Sequence, residues 1–199
     1  MDVQQSFHRF VVIEGIDGAG KSSLLEVLRR TSDIRVVESP LEPFLSIKNR
    51  VLEEVPPPAR LAFFMAANLQ VSSCIDELKE SEVLVCSRYI WSTIAYHAAI
   101  NRVEVPTLVA MVKTFLPWIR MPRLVIYLGV ERRVQIERLK GRTENGLQAK
   151  LNLQGDFQER LLNCYSEIRK LIKVPWKEID TSEITVEQVT EQALALIKH

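Results

Sequence analysis

The chain has 199 residues, 47% of them hydrophobic, with 26 Lys and Arg against 25 Asp and Glu and a formal charge of +1. That length and apolar content suffice for one well-buried core, so one domain spanning 1–199 is expected. The near-neutral balance gives no field to gather nucleic acid or an anionic membrane, so the basic side chains are read singly, as ligands of small phosphorylated molecules. The N-terminus has no hydrophobic h-region, and no apolar run approaches the roughly 18 residues of a membrane span. Cys74, Cys86 and Cys164 are odd in number and widely spaced within apolar segments, which suits buried thiols in a reducing cytosol better than disulfides or a zinc site. A soluble, cytoplasmic protein follows.

The first predicted strand, Phe10 to Glu14, runs into Gly15-Ile16-Asp17-Gly18-Ala19-Gly20-Lys21-Ser22. This is the pattern G-x-x-x-x-G-K-[ST], whose glycines let successive backbone N–H groups turn inward around phosphate oxygens at a helix N-terminus. Lys21 supplies a full positive charge and the Ser22 hydroxyl a magnesium ligand, so the chain is read as a nucleotide binder. A helix over Lys21 to Thr31 follows, then a strand over Ile34 to Glu38 and a helix over Phe44 to Glu53, ended by Pro56-Pro57-Pro58. Next come a helix over Arg60 to Lys79, a strand over Val83 to Cys86, and helices over Trp91 to Ile100 and Thr107 to Phe115. The remaining elements are a strand over Leu124 to Leu128, helices over Glu131 to Leu139 and Phe157 to Ile172, a short strand over Trp176 to Ile179, and a helix over Val186 to Lys198. Thr185 and Gln188 make a capping box for that last helix. Strands that are continuously Val/Ile/Leu-rich and alternate with helices imply a parallel sheet covered on both faces. The ligand belongs outside the carboxyl ends of the strands, where Gly15, Glu38 and Ser87 fall.

Beyond the third strand the chain reads Ser87-Arg88-Tyr89-Ile90-Trp91-Ser92-Thr93-Ile94-Ala95-Tyr96, which resembles the D-R-Y segment and S-x-x-A-Y helix of the thymidylate kinase family. The likeness extends over Phe7 to Ser22, Phe63 to Asn68, Asp156 to Tyr165 and Trp176 to Asp180, in family order and spacing. It implies a P-loop NTPase fold: a three-layer α/β/α sandwich around a five-stranded parallel sheet of order 2-3-1-4-5, with a mobile lid over about 140–155. It also implies transfer of the γ-phosphoryl of ATP to a nucleoside monophosphate, with Mg2+, by a homodimer that binds only small-molecule nucleotides. On that resemblance Gly15, Ile16, Asp17, Gly18, Ala19, Gly20, Lys21, Ser22 and Ser23 hold ATP. Lys21 follows the moving charge, because a loose transition state is stabilised by position and electrostatics. Arg88 clamps the acceptor phosphate or spans both substrates, and Asp17 accepts a hydrogen bond from the acceptor sugar 3′-hydroxyl. Gly18 stands where one branch of the family has an arginine, so cover for the γ-phosphate is sought in the lid, among Lys140, Arg142 and Lys150, with Arg142 preferred. The acceptor is assigned Asp17, Glu38, Arg50, Phe64, Asn68, Arg88 and Tyr96.

The departures concern the acceptor side. Ser87 replaces the aspartate of D-R-Y, Leu69 replaces an arginine that reads the base, and Met65 replaces a stacking aromatic, with Phe64 one position away. Glu38-Ser39-Pro40 lacks the arginine and glycines of R-E-P-G-G-T, and Arg50 is the candidate to take over phosphate binding. A phosphate acceptor, with its second pKa near about 6, needs no general base, whereas a hydroxyl acceptor does. Magnesium is then held by Ser22, the donor phosphates and water, with Glu14 or Glu38 acting through that water. Four readings follow. They are a thymidylate kinase making dTDP from dTMP, a UMP/CMP-type kinase, a deoxynucleoside kinase using Glu38 as base, and a non-catalytic nucleotide-binding module. Trp91 and Trp118 lie in the apolar helices that could pair two copies of the chain or be buried within one.

Overall fold

The computed structural model describes residues 7–140, 151 and 155–198. Its strands are β1 (Phe7–Glu14), β2 (Ile34–Glu38), β3 (Val83–Ser87), β4 (Pro122–Gly129) and β5 (Trp176–Asp180). Its helices are α1 (Lys21–Leu28), α2 (Phe44–Glu54), α3 (Pro57–Ser73), α4 (Ile90–Asn101), α5 (Val105–Val112), α6 (Arg132–Lys140), α7 (Gly155–Leu171) and α8 (Val186–Lys198). The strands form one parallel sheet in the order β2-β3-β1-β4-β5, as the sequence predicts. Helices cover both sides: α1 packs against α8, while α3, α5 and α7 pack against α4.

The burial pattern explains the arrangement. Phe10, Val11, Val12 and Ile13 of the central strand are all fully buried, so both faces of β1 lie in the core. Each such side chain contributes about 1.5–3 kcal/mol of hydrophobic stabilisation. The edge strands carry charges instead, Arg35 on β2 and Lys177 and Glu178 on β5, which discourages pairing with another sheet. Parallel register sets Glu38 beside Ser87 and Ser87 beside Ile13, so three strands end level with one another.

Element boundaries shift for identifiable reasons. α3 begins at Pro57 rather than Arg60, because prolines at the first helical positions forgo N–H groups that have no partner there. It ends at Ser73, and a series of turns carries the chain on to β3. The helix expected over Thr107 to Phe115 is α5 followed by a 3-10 turn over Lys113–Trp118, which contains Pro117. The capping box of α8 forms reciprocally: Thr185 N–H donates to Gln188 Oε1 at 2.9 Å and Gln188 N–H to Thr185 Oγ1 at 3.3 Å. Trp91 is fully buried, packed against Tyr89 and Trp176, whereas Trp118 is 67% exposed. All three cysteines are free thiols, Cys74 and Cys86 buried and Cys164 partly exposed. Among the described residues no helix is long and apolar enough to cross a membrane.

Candidate functional site

The turn after β1 is built by backbone conformation. Gly15 has φ +143°, and a methyl group there would stand 2.6 Å from the Leu128 carbonyl oxygen of β4. Gly18 has φ +86°, and its methyl would meet Gln135 Cγ at 2.9 Å. Neither position admits a side chain without displacing its neighbour. The Lys21 ammonium curls back over the turn and donates to the Gly15 and Ile16 carbonyls, each at 2.8 Å. Gly15, Ile16 and Ala19 are buried beneath the turn, while Asp17, Gly18, Gly20, Lys21 and Ser22 face a cleft of about 700 Å³. Ser23 is exposed outside that lining.

Two residues that the sequence analysis passed over fix the turn from outside. Gln135, fully buried on α6, donates to the Asp17 carbonyl at 2.8 Å. Arg138 donates to Gly18 O at 3.3 Å, Thr181 Oγ1 at 3.0 Å and Thr181 O at 2.6 Å, tying α6 and the end of β5 to the loop. Nothing in the sequence of α6 set Gln135 apart, because its burial follows only from packing. Lys140, at the end of α6, is exposed, and Arg142 and Lys150 lie outside the described residues, as does most of the lid predicted over about 140–155.

Arg88 stands opposite the turn. It leaves β3 with φ 64°, a left-handed conformation that costs a non-glycine residue about 1–2 kcal/mol, and its N–H donates to Ile13 O at 3.0 Å. Its guanidinium pairs with the Asp17 carboxylate and lies over the Tyr96 ring, 4.8 Å from the centroid. The two residues singled out for the acceptor phosphate and sugar thus meet each other. Ser87 also faces the cleft, and so does Glu38, which pairs with Arg29 at 2.5 Å.

Glu14 does something different from the water-mediated metal role expected of it. It is fully buried and absent from the cleft wall. Its carboxylate accepts from Tyr89 N–H at 3.0 Å, Ser92 N–H at 3.2 Å, the Ser92 hydroxyl, and the Tyr165 hydroxyl at 3.1 Å. The two backbone donors lie at the start of α4 and the Tyr165 hydroxyl comes from α7, so Glu14 caps α4 from the end of β1 and ties it to α7, and its negative charge suits the positive end of the helix dipole. Burial pushes its pKa above the ordinary glutamate value of 4.5, opposed by these hydrogen bonds and by Arg88.

The far half of the cleft is assembled from helix faces. One stripe of α4 presents Ser92, Thr93, Tyr96, His97, Ile100 and Asn101; α3 contributes Arg60 and Phe64; α2 contributes Leu45, Lys48, Asn49 and Leu52. Arg50 is not among them: it is exposed and paired with Glu54 at 3.3 Å. Two positions along a helix turn a side chain by about 200°, so the face that brings Lys48 and Asn49 inward sends Arg50 outward. Asn68 is also displaced from its expected role. It is fully buried where α3 meets α4, and its amide donates to Thr93 Oγ1 at 2.9 Å. Met65 is buried in the core, Leu69 packs against it, and Phe64 packs edge-on against Phe63 while still facing the cleft. The sequence analysis overlooked Arg60, Lys48, His97 and Asn101; the spacing of Arg60 to Phe64 and of Thr93, His97 and Asn101, four residues each, places them on shared faces.

The family model for thymidylate kinase matches residues 13–193. A probable thymidylate kinase 1 of Saccharolobus solfataricus is 26% identical over 96% of this chain and 97% of its own length. The thymidylate kinase of Rickettsia canadensis is 27% identical over 92% and 94%. Among solved structures, thymidylate kinase from Candida albicans superposes with a TM-score of 0.71 at 22% identity, covering 98% of this chain and 93% of that one. A deoxyadenosine kinase from M. mycoides superposes with a TM-score of 0.70 at 19% identity, covering 95% and 99%; these two likenesses show the shared fold. With a P-loop at the end of β1, Arg88 facing it across the cleft and a family match along nearly its whole length, this chain belongs to the thymidylate kinase family.

Proposed function

We infer that the chain is a thymidylate kinase, moving the γ-phosphoryl of ATP to dTMP to give ADP and dTDP. The observation that carries this reading is the continuity of the cleft, which begins at the phosphate-binding turn, passes Arg88, and runs along one face of α4 to an aromatic and polar end. Such a shape holds two phosphorylated reactants end to end with a guanidinium at the junction.

Each residue then has a physical task. The inward-facing turn and the N-terminus of α1 bind the donor phosphates. On binding, the Lys21 ammonium exchanges the Gly15 and Ile16 carbonyls for phosphate oxygens and balances the charge that develops during transfer. Arg88 exchanges the Asp17 carboxylate for the acceptor phosphate, which frees Asp17 for the sugar hydroxyl. No side chain need remove a proton, since a phosphate acceptor is already largely ionised at neutral pH. The cleft wall fits a magnesium ion: the hydroxyls of Ser22 and Ser87 and the carboxylate of Glu38 are hard oxygen donors beside the turn. No group of three or more His, Cys, Asp or Glu able to hold a metal occurs among the described residues. When bound, the ion neutralises charge on the donor phosphates.

The reading is completed by a cytoplasmic location and a homodimer of single-domain chains. The exposure of Met111 and Trp118, at 51% and 67%, supports pairing. Incubation with ATP, Mg2+ and, in parallel, dTMP, dThd, UMP and CMP tests the activity. Turnover of dTMP above the others is expected; turnover of dThd with dTMP inert would identify a nucleoside kinase instead and overturn the reading.

A further inference from the structure

We propose that Gln135, on α6, is a positioning residue for the phosphoryl donor: it holds the phosphate-binding turn from behind and so aims the Gly18 N–H into the cleft. This deepens the reading above and rests on it for the donor's being a phosphorylated nucleotide. Every carbonyl from Gly15 to Gly20 has a donor, and the donors come from different sides. Lys21 Nζ takes Gly15 O and Ile16 O, each at 2.8 Å, from the cleft wall. Gly20 O accepts from Leu24 N–H of α1 at 3.1 Å. The carbonyls between them are held by side chains that are absent from the cleft wall: Asp17 O by Gln135 Nε2 at 2.8 Å, Gly18 O by Arg138 Nη1 at 3.3 Å, and Ala19 O by Thr181 Oγ1 at 3.2 Å.

Carbonyls turned outward mean amides turned inward. The peptide unit is planar and trans, so its N–H points away from its C=O. With Asp17 O directed at α6, the Gly18 N–H is directed at the cleft, whose wall Gly18 forms. Of the outer contacts, that of Gln135 is the shortest, and it acts on the peptide with the greatest freedom. Gly18 has φ +86° and no Cβ, so the peptide between residues 17 and 18 would otherwise rotate at little cost. The bare Cα also lets α6 come close: a methyl group there would stand 2.9 Å from Gln135 Cγ and 3.4 Å from Leu139 Cγ.

The orientation of the Gln135 amide is itself fixed. Arg132 Nη1 lies 2.6 Å from Gln135 Oε1, and a guanidinium only donates, so that atom has to be the acceptor. Nε2 then carries two hydrogens for two acceptors, Asp17 O at 2.8 Å and Gln158 Oε1 at 3.3 Å. Gln135 is fully buried, so these bonds form without competing solvent. Filling the space alone would need no amide. Without one, Asp17 O faces apolar atoms, and rotation of the peptide turns that oxygen into the cleft, where it repels a phosphate in place of the N–H that binds one.

The test is calorimetric binding of ADP with Mg2+, and separately of dTMP, to the wild type, Gln135→Met and Gln135→Glu. The Gly18 amide resonance of isotopically labelled protein and steady-state kinetics accompany it. Gln135→Met keeps the bulk, and Gln135→Glu keeps the shape and the contact with Arg132 but has no hydrogen for Asp17 O. Both variants are expected to bind ADP about 10–100-fold more weakly, because the lost N–H contact is to a charged group. Both also lose the shift of the Gly18 amide that ADP induces in the wild type. Binding of dTMP stays within about threefold, since rotation of the planar peptide leaves the Asp17 Cα–Cβ bond in place. The KM for ATP rises more than kcat falls. ADP affinity within about twofold of the wild type in either folded variant, a Gly18 shift equal to that of the wild type, or ADP and dTMP affinities falling by the same factor overturns the proposal. ADP binding and Gly18 shifts as expected, with dTMP left unphosphorylated by the wild type, would count against the kinase reading and leave this inference standing.

Discussion

The two ends of the cleft are built by different means. The end that the proposed function gives to the donor is made of main chain: a turn whose geometry depends on two glycines, a helix N-terminus, and a lysine six residues after Gly15 that reaches back over it. The opposite end, which that reading gives to the acceptor, is made of side chains from three helices, each contributing whichever face tertiary packing turns inward. A backbone-built site is written in consecutive residues and tolerates little variation. A site built from helix faces can be rebuilt with different residues; in this chain α3 turns Arg60 and Phe64 to the cleft, while Met65 lies in the core and Leu69 packs against it.

The largest effect should come from the donor end. Lys21→Met is expected to lower kcat with ATP and dTMP about a thousandfold, near 4 kcal/mol of transition-state stabilisation, and a loss below tenfold in a steady-state assay would break the contrast. Gly15→Ala comes next. Its methyl collides with main chain rather than with a movable side chain, so urea unfolding should show a loss of about 3 kcal/mol together with loss of ATP binding.

Between the two ends stands Glu14. Glu14→Gln leaves backbone donors of α4 poorly satisfied and should cost about 2 kcal/mol near pH 5. Because burial raises its pKa, the folded chain binds this proton more tightly than the unfolded chain, and stability from this group is lost as pH rises. The stability advantage of the wild type over Glu14→Gln should therefore shrink as pH climbs from 4.5 toward the folded value; a widening gap in denaturation experiments over that range would contradict the burial argument. The smallest effect belongs to Arg50→Ala, expected to leave both KM values within about twofold. A tenfold rise in the acceptor KM would return Arg50 to the site.

This division also explains what the sequence made legible. The strand order, the element sequence and the phosphate-binding turn follow from apolar runs and one local pattern, because burial on both faces and a glycine turn leave few alternatives. Helix facing was not available, since Lys48 and Arg50 are equally plausible until α2 is packed against its neighbours. Asn68 shows the same limit: it lies on the stripe that begins with Arg60 and Phe64, but by that point α3 has closed on α4 and its amide meets Thr93. Glu14 was misread for a further reason. Its position at the strand end suggested metal chemistry, and only the three-dimensional approach of α4 reveals that its oxygens are already engaged.

The grip of Glu14 on α4 has a mechanical consequence. The residue that precedes Gly15 in the chain is locked onto the opening turn of α4, and Arg88 is anchored to the same strand through Ile13. The phosphate-binding turn and α4 are therefore fastened to one strand end, and on the proposed reading the spacing between the two nucleotides is set before either arrives.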